Sequence, residues 1–298
     1  MDTVAFIGLG NMGSGMAANQ AKAGRTVQAF DLSEEALAKA EAAGCKAYAS
    51  AAEAVKGADA VITMLPAGKH VSAVYASDIL PNAASGALLV DCSTIDVDSA
   101  RSVVKLAADA NNGFRTADAP VSGGTAAADS GTLAFMVGCS EADFAAVETT
   151  LSPMSRVTIH AGESGAGQAA KICNNMLLGI SMIGTCEAFA LAERLGLSAE
   201  RFFDISSQSS GQNWSMTSYC PVEGVGPQSP ADRNFEGGFA TDMMLKDLRL
   251  AKAAAMASGG VTPLGGHAEA LYAQLSEQGL GGKDFSSVIE LLAKGTVK

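Results

Sequence analysis

Four polar residues fall on one face of an otherwise apolar segment. In Gly165-Ala-Gly-Gln-Ala-Ala-Lys-Ile-Cys-Asn-Asn-Met176, Gln168, Lys171, Asn174 and Asn175 stand at i−3, i, i+3 and i+4. On a helix this spacing gathers one ammonium and three amides into a single stripe. The chain continues as Leu177-Leu-Gly-Ile-Ser-Met-Ile-Gly-Thr185, apolar around much of its circumference, as a core helix is. A lysine is costly to desolvate, so a stripe of this kind is expected to face a cleft that holds a polar or anionic ligand. The bland alternative is a solvated helix face. As chemistry, one amine held among amides suits proton transfer to or from a hydroxyl, and no histidine stands in a comparable constellation.

A second cluster lies near the amino terminus. Val4-Ala-Phe-Ile-Gly8-Leu-Gly10-Asn-Met-Gly13 joins a strand to a helix through G-x-G-x-x-G. The first glycine permits the turn, the second lets backbone approach a pyrophosphate, and the third lets helix pack on strand. Gly8, Leu9, Gly10, Asn11, Met12 and Gly13 are therefore candidates for the phosphates, which would meet free N–H groups at the helix start. Asp31 ends the next strand, 18 residues beyond Gly13, where a carboxylate accepts from an adenosine ribose. No arginine follows within Asp31-Leu-Ser-Glu-Glu-Ala36 to receive a 2′-phosphate, so the expected cofactor is NAD. A purely structural glycine turn is the competing reading.

Other strand ends complete the set. Met64-Leu65-Pro66 and Asp91-Cys92-Ser93-Thr94 each close an apolar strand at the carboxyl edge, where ligands of open α/β sheets bind. Helix N-capping competes for Ser93 and Thr94. In Asp118-Ala-Pro-Val-Ser122-Gly123-Gly124 a hydroxyl beside two glycines makes a small anion nest suited to a substrate carboxylate, or simply a turn.

These residues need a scaffold. Strand candidates at 4–7, 26–30, 60–65, 87–90, 115–118, 133–137 and 157–160 alternate with alanine-rich helical stretches such as 34–43 and 97–110. That alternation predicts an α/β fold, a doubly wound parallel sheet covered by helices. Beyond Gly162 the strand signals stop, and 165–195, 198–207, 242–257 and 264–277 are helical. Two domains are expected, 1–162 for the dinucleotide and 163–298, all-helical, for substrate and oligomerisation.

With 48% hydrophobic and 17% charged residues, the chain is too apolar for disorder and long enough for about two cores. A net charge of −11 with no basic cluster argues against nucleic acid and anionic membranes as partners. The apolar run 176–183 is too short to span a bilayer. Three scattered histidines give no metal-ligand spacing, so no metal site is expected. Six dispersed cysteines without a C-x-x-C pair fit a reducing, cytoplasmic setting, and no basic n-region precedes the first strand. The glycine-containing apolar spine 177–183 suggests pairing of helices between copies, as a homodimer or homotetramer.

Taken in order along the chain, Gly-Leu-Gly-Asn-Met-Gly, Met-Leu-Pro, Asp-Cys-Ser-Thr, Asp-Ala-Pro-Val-Ser-Gly-Gly, Gly-x-Gly-x-x-x-Lys-x-x-Asn-Asn and Lys246-Asp247-Leu248 resemble the β-hydroxyacid dehydrogenase family. The resemblance implies a Rossmann domain followed by a helical domain, and NAD-linked oxidation of a short 3-hydroxy acid to its semialdehyde. It implies Lys171 as the catalytic acid/base with Asn175 beside it, and Ser122, Gly123, Gly124 and Asn174 at the substrate. Lys246 would reach substrate or cofactor, while Leu65, Pro66 and Thr94 would line the nicotinamide side. Ser209-Ser-Gly-Gln-Asn-Trp214, with Tyr219-Cys-Pro, is similar to the substrate loop of the members that act on a 2-methyl substrate in valine breakdown, so Trp214 is expected to set substrate choice. A core tryptophan is the alternative. The runner-up activity is reduction of tartronate semialdehyde or another short 3-oxo acid. A cofactor-binding scaffold without catalysis is the reading from another class, against which the intact Lys171 and Asn175 speak. Gln20 departs from the family's usual leucine.

Overall fold

The structure, a computed structural model, describes residues 2–293. Residues 1 and 294–298, at the outer ends of the two expected domains, lie outside that range. By compactness the chain divides between Lys171 and Ile172, nine residues past the expected 162/163, because the first turns of the helix Ala166–Arg194 pack on strand ends of the first unit.

The first unit holds a mixed sheet. Its strands are β1 (Thr3–Ile7), β2 (Thr26–Phe30), β3 (Lys46–Ala47), β4 (Ala60–Thr63), β5 (Leu88–Asp91), β6 (Arg115–Asp118), β7 (Val121–Ser122), β8 (Leu133–Gly138) and β9 (Ser155–Gly162). They run in the order β3-β2-β1-β4-β5-β6-β8-β7, with β9 also paired to β8. β1 to β6 are mutually parallel, whereas β8 runs antiparallel to β6 and β7. Two short strands, β3 and β7, went unread in the sequence because two residues carry no periodicity.

Alternation along the strands feeds two cores. Val4, Phe6, Ile62 and Val90 face one side with Met16 and Ala17, while Ala5, Ile7, Val61 and Leu89 face the other with Val55, Tyr75 and Val103. A parallel sheet covered on both faces produces this pattern, and it explains why these strands read as unbroken apolar runs. Gln20 is fully buried in this unit: its Nε2 donates to the Thr150 carbonyl at 2.9 Å and its Oε1 accepts from Arg25 at 2.7 Å. A leucine there could pack but could not make these links.

The second unit is helical. Among its described residues the sole strand-like pairing is the isolated bridge Ala240–Asp284. Met182, Ile183 and Cys186 of the long helix pack with Met244, Leu245 and Leu248 of the helix Thr241–Ser258 and with Ala268, Tyr272 and Leu275 of the helix Pro263–Leu275. The long helix spans 29 residues and is long and apolar enough to cross a bilayer by length and composition, with 44% of its most apolar window buried inside the protein. The eight-residue run weighed in the sequence understated it, since apolar and small residues continue on both sides. All six cysteines are free, and all but Cys173 are buried.

Candidate active site

The parallel register brings the cofactor candidates to one edge. Ile7 pairs with Phe30 and Thr63, Thr63 with Asp91, and Asp91 with Asp118, so the loops that follow these strands emerge side by side. Gly8 has φ +97°, and a Cβ there would collide with the Met64 carbonyl oxygen. A Cβ on Gly13 would collide with the Gly8 carbonyl oxygen, but one on Gly10 would meet nothing within 4 Å. Gly8 and Gly13 therefore close the turn, and Gly10 leaves open space beside the helix start, large enough for a backbone-close anion to approach. The helix Gly13–Lys22 has no side-chain cap and no acidic residue in its first turn, so its positive end remains available to an anion. These residues fit the dinucleotide.

Asp31 lies against that turn. Its carboxylate accepts from the Leu9 amide at 2.6 Å and the Ser33 amide at 2.8 Å, which fixes it at the end of β2 while leaving it half-exposed. The Leu65 amide donates to the Ser93 hydroxyl oxygen at 2.8 Å, and that hydroxyl donates to Asp91 at 2.6 Å. Ser93 is thus a buried bridge between two strand ends. The helix Val97–Asp109 is capped by Asp96, whose Oδ1 accepts from Ser99 at 2.7 Å, so neither Ser93 nor Thr94 has the capping role. Thr94 itself is half-buried.

The turn at Ser122 continues into the helix Gly124–Ser130, with Gly123 at φ +137° and Gly124 at φ +70°. Two successive positive-φ glycines orient backbone N–H groups as a nest does. This helix is held to the helix Gly13–Lys22: Asn19 Nδ2 donates to the Ala128 carbonyl at 2.7 Å, and Gly15 lies too close to Asp129 for any Cβ.

The stripe at 168–175 divides, which corrects the expectation of one polar face on a cleft. Gln168 is fully buried and both ends of its amide are occupied: Nε2 donates to the Ser93 carbonyl at 2.8 Å, and Oε1 accepts from the Ile95 amide at 3.1 Å. Asp118 caps the helix, accepting from the Gly165 amide at 2.6 Å and the Gln168 amide at 2.8 Å. Lys171 follows one turn later, 7% exposed.

In the second unit Asn175, 2% exposed, donates to Asp247 Oδ2 at 2.5 Å and accepts from exposed Asn174 at 3.0 Å. Lys246 Nζ lies 3.4 Å from the other oxygen of Asp247, an ion pair beyond good hydrogen-bond geometry. The structure therefore joins Asn174, Asn175 and Lys246 through a buried carboxylate that sequence reasoning left without a role. Its signal was a charge inside the apolar run Met243-Met-Leu-Lys-Asp-Leu248.

Trp214 is 50% exposed, which excludes a core tryptophan. It stacks on Tyr219 at 4.9 Å, and the Tyr219 hydroxyl donates to buried Asp284 at 2.8 Å. Neighbouring Asn213 shares hydrogen bonds with Thr185, tying this loop to the long helix ten residues beyond Asn175. Among the described residues no cluster of side chains suits a metal ion.

Sheet order, glycine turn and carboxylate-capped helix define an NAD-dependent dehydrogenase on a Rossmann-type unit. Residues 3–162 match the NAD binding domain of 6-phosphogluconate dehydrogenase, and residues 165–292 match the NAD-binding domain of NADP-dependent 3-hydroxyisobutyrate dehydrogenase. A probable 3-hydroxyisobutyrate dehydrogenase of Mycobacterium tuberculosis is 47% identical over 292 residues, 98% of each chain. An NAD-dependent L-serine dehydrogenase of Pseudomonas aeruginosa is 47% identical over 293 residues, again 98% of each. The solved structure of the mycobacterial enzyme with L-serine superposes with a TM-score of 0.94, covering 98% of this chain and 99% of that one. The chain belongs to the 3-hydroxyisobutyrate dehydrogenase family.

Beneath the crevice, burial pushes Asp91 up from 3.8 to about 6, against the pull of its Ser93 and Thr63 donors, and nearby Asp118 adds to the rise. Asp118 is raised as well, by burial, against its backbone N–H donors. Because the folded state binds the Asp91 proton more tightly than the unfolded chain, this contribution is whole below about pH 3.8 and is lost as pH rises through about 6. Asp91→Asn keeps an acceptor oxygen for Thr63 and Ser93 and removes the ionisation. Between about pH 4 and about pH 6.5, wild type should lose roughly 2–3 kcal/mol relative to the variant in urea unfolding. Parallel stability curves would show that Asp91 does not titrate in this range.

Proposed function

We propose that the chain oxidises 3-hydroxyisobutyrate to methylmalonate semialdehyde, with Lys171 as the group that takes the hydroxyl proton. The observation that carries this is a lysine almost wholly buried one turn beyond a capped helix start, followed at i+4 by an anchored asparagine. NAD accepts the hydride that leaves the carbinol carbon. Lys171 then needs only to accept a proton from the adjacent oxygen, and in the reverse direction to return it. Asn175, its amide fixed by Asp247, orients the lysine or the hydroxyl. Ser122, Gly123 and Gly124 receive the carboxylate through a hydroxyl and backbone N–H groups, with Asn174 as a further substrate contact.

The phosphates lie over Gly8–Gly13, from Leu9 through Asn11 and Met12, the ribose lies at Asp31, and Leu65, Pro66 and Thr94 line the nicotinamide side. Lys246 contributes to substrate or cofactor, and Trp214 forms one wall for the C2 substituent. In this reading the domain from 163 onward serves substrate binding and assembly.

A second reading is favoured by the relative named for L-serine and by the structure solved with it. L-Serine is also a 3-hydroxy acid and differs at C2, where an ammonium replaces the methyl group. A site with the Trp214 ring beside the C2 substituent gains from apolar contact with the methyl, a preference expected to be modest. We expect kcat/KM for 3-hydroxyisobutyrate to exceed that for L-serine by on the order of tenfold. Trp214→Phe should narrow the gap, and a reversed preference would establish the serine reading.

Lys171→Ala should lower kcat by about 10²–10⁴ with NAD affinity nearly unchanged. A carboxylate anchor would behave differently, raising KM far more than it lowers kcat when removed. Lys171→Arg with most of its turnover intact would make Lys171 a binding residue.

Assembly is proposed from the long helix, where Leu177, Gly184 and Leu191 recur exposed at intervals of seven with Leu195 beyond. A stripe of that kind is covered in a homodimer or homotetramer. Cytoplasmic residence rests on the six unpaired cysteines. The protein should be recovered from the cytosolic fraction and sediment as a dimer or tetramer at micromolar concentration. A monomer, or recovery with membranes, overturns the corresponding part.

A further inference from the structure

Gln168 belongs to neither the glycine turn nor the proton-transfer pair, yet it is fully buried with three hydrogen bonds that leave it one geometry. Its backbone amide donates to Asp118 Oδ2 at 2.8 Å, which fixes where the helix begins along its axis. Its side chain grips the loop after β5 at two points, the Ser93 carbonyl and the Ile95 amide, on either side of Thr94. Ser93 in turn carries the Leu65 amide on its hydroxyl. One side chain thus joins the start of the long helix to both strand-end loops that carry Leu65 and Thr94.

The surroundings leave the helix little freedom to shift but do not by themselves stop it turning. A Cβ on Gly167 would collide with the Met136 carbonyl oxygen, and one on Gly138 with Asp118 Oδ1, so backbone meets backbone there without side chains between. Asp118 holds the helix start at the Gly165 and Gln168 amides, and the Gln168 side chain adds the sideways tether to the loop after β5 that bears on rotation about the axis. Lys171 is three residues later, on the same face and about 4.5 Å further along. At roughly 6 Å from the axis, a turn of about 10° displaces a side-chain atom by about 1 Å. A misplacement of about 1 Å can cost on the order of 10²-fold in rate.

We propose that Gln168 is a positioning residue for Lys171: its amide, clamped between the Ser93 carbonyl and the Ile95 amide, sets the rotation of the helix that presents the lysine to the reacting hydroxyl. This rests on the assignment of Lys171 as the proton-transfer group.

The test is a double-mutant cycle on the intact enzyme with NAD and 3-hydroxyisobutyrate. Gln168→Leu preserves bulk and removes both side-chain bonds. Gln168→Glu keeps the acceptor for the Ile95 amide and loses the donor to the Ser93 carbonyl. Gln168→Leu should lower kcat by about 10–10²-fold and Gln168→Glu, whose carboxylate faces the Ser93 carbonyl, by at least as much, with the NAD dissociation constant within about threefold of wild type. In the Lys171→Ala background, Gln168→Leu should lower kcat by less than about twofold, because the group it positions is gone. A structural role alone would lower the melting temperature and leave turnover of the folded enzyme and this coupling untouched. Wild-type kcat in folded Gln168→Leu overturns the proposal, as does an undiminished effect in the Lys171→Ala background. If Gln168→Leu does not fold, the same two readings on Gln168→Glu decide. Wild-type turnover in Lys171→Ala alone defeats the assignment of the lysine, and that arm identifies this failure separately.

Discussion

A carboxylate at a helix start holds the first unit together. Asp118 ends β6 and accepts from the Gly165 amide just before the helix Ala166–Arg194 and from the Gln168 amide in its first turn, donors that offset part of the cost of burying it. Room for it exists because Gly138 and Gly167 carry no side chain. Remove the carboxylate and the helix start loses its axial anchor and Gln168 its register, leaving the loops it grips to sheet pairing and to the links of Ser93 with Leu65 and Asp91. Lys171 and the two strand-end loops thus share one support.

The same economy recurs in the second unit. Asp247 is buried beside the amide of Asn175, with Lys246 against its other oxygen. Asp284 is buried among the Tyr219 hydroxyl, the Phe239 amide and Ser286, and thereby steadies the ring on which Trp214 stacks. Asn175 and Lys246 thus share one buried carboxylate, and Trp214 leans on a ring anchored by another. Such carboxylates fix orientation at a cost in desolvation that, at Asp284, outweighs the donors around it and raises its pKa.

Much of this was legible in the chain. The alternation of apolar runs with alanine-rich stretches gave the main strands within a few residues, because strands buried on both faces have no polar positions to obscure them. The glycine turn was legible because its three positions answer to different steric demands. The antiparallel run of β8 was not, since strand direction leaves no mark on periodicity. Nor was the division of the polar stripe: Gln168, Asn174 and Asn175 share a face by spacing, but which amide meets a carbonyl, a carboxylate or solvent depends on elements 70 or more residues away in sequence. Asp247 and Tyr219 were visible within their motifs but carried no role there, because their importance lies in what they support.

The glycine turn carries an evolutionary implication. Gly8 and Gly13 are excluded from substitution by the Met64 and Gly8 carbonyls, contacts internal to the fold. Gly10 borders open space and is free of any such constraint from the protein itself. In a descendant that had abandoned its dinucleotide, selection for folding alone would preserve the outer two and release the middle one. Among sequences of this lineage, drift at that single position is the earliest footprint that lost binding would leave.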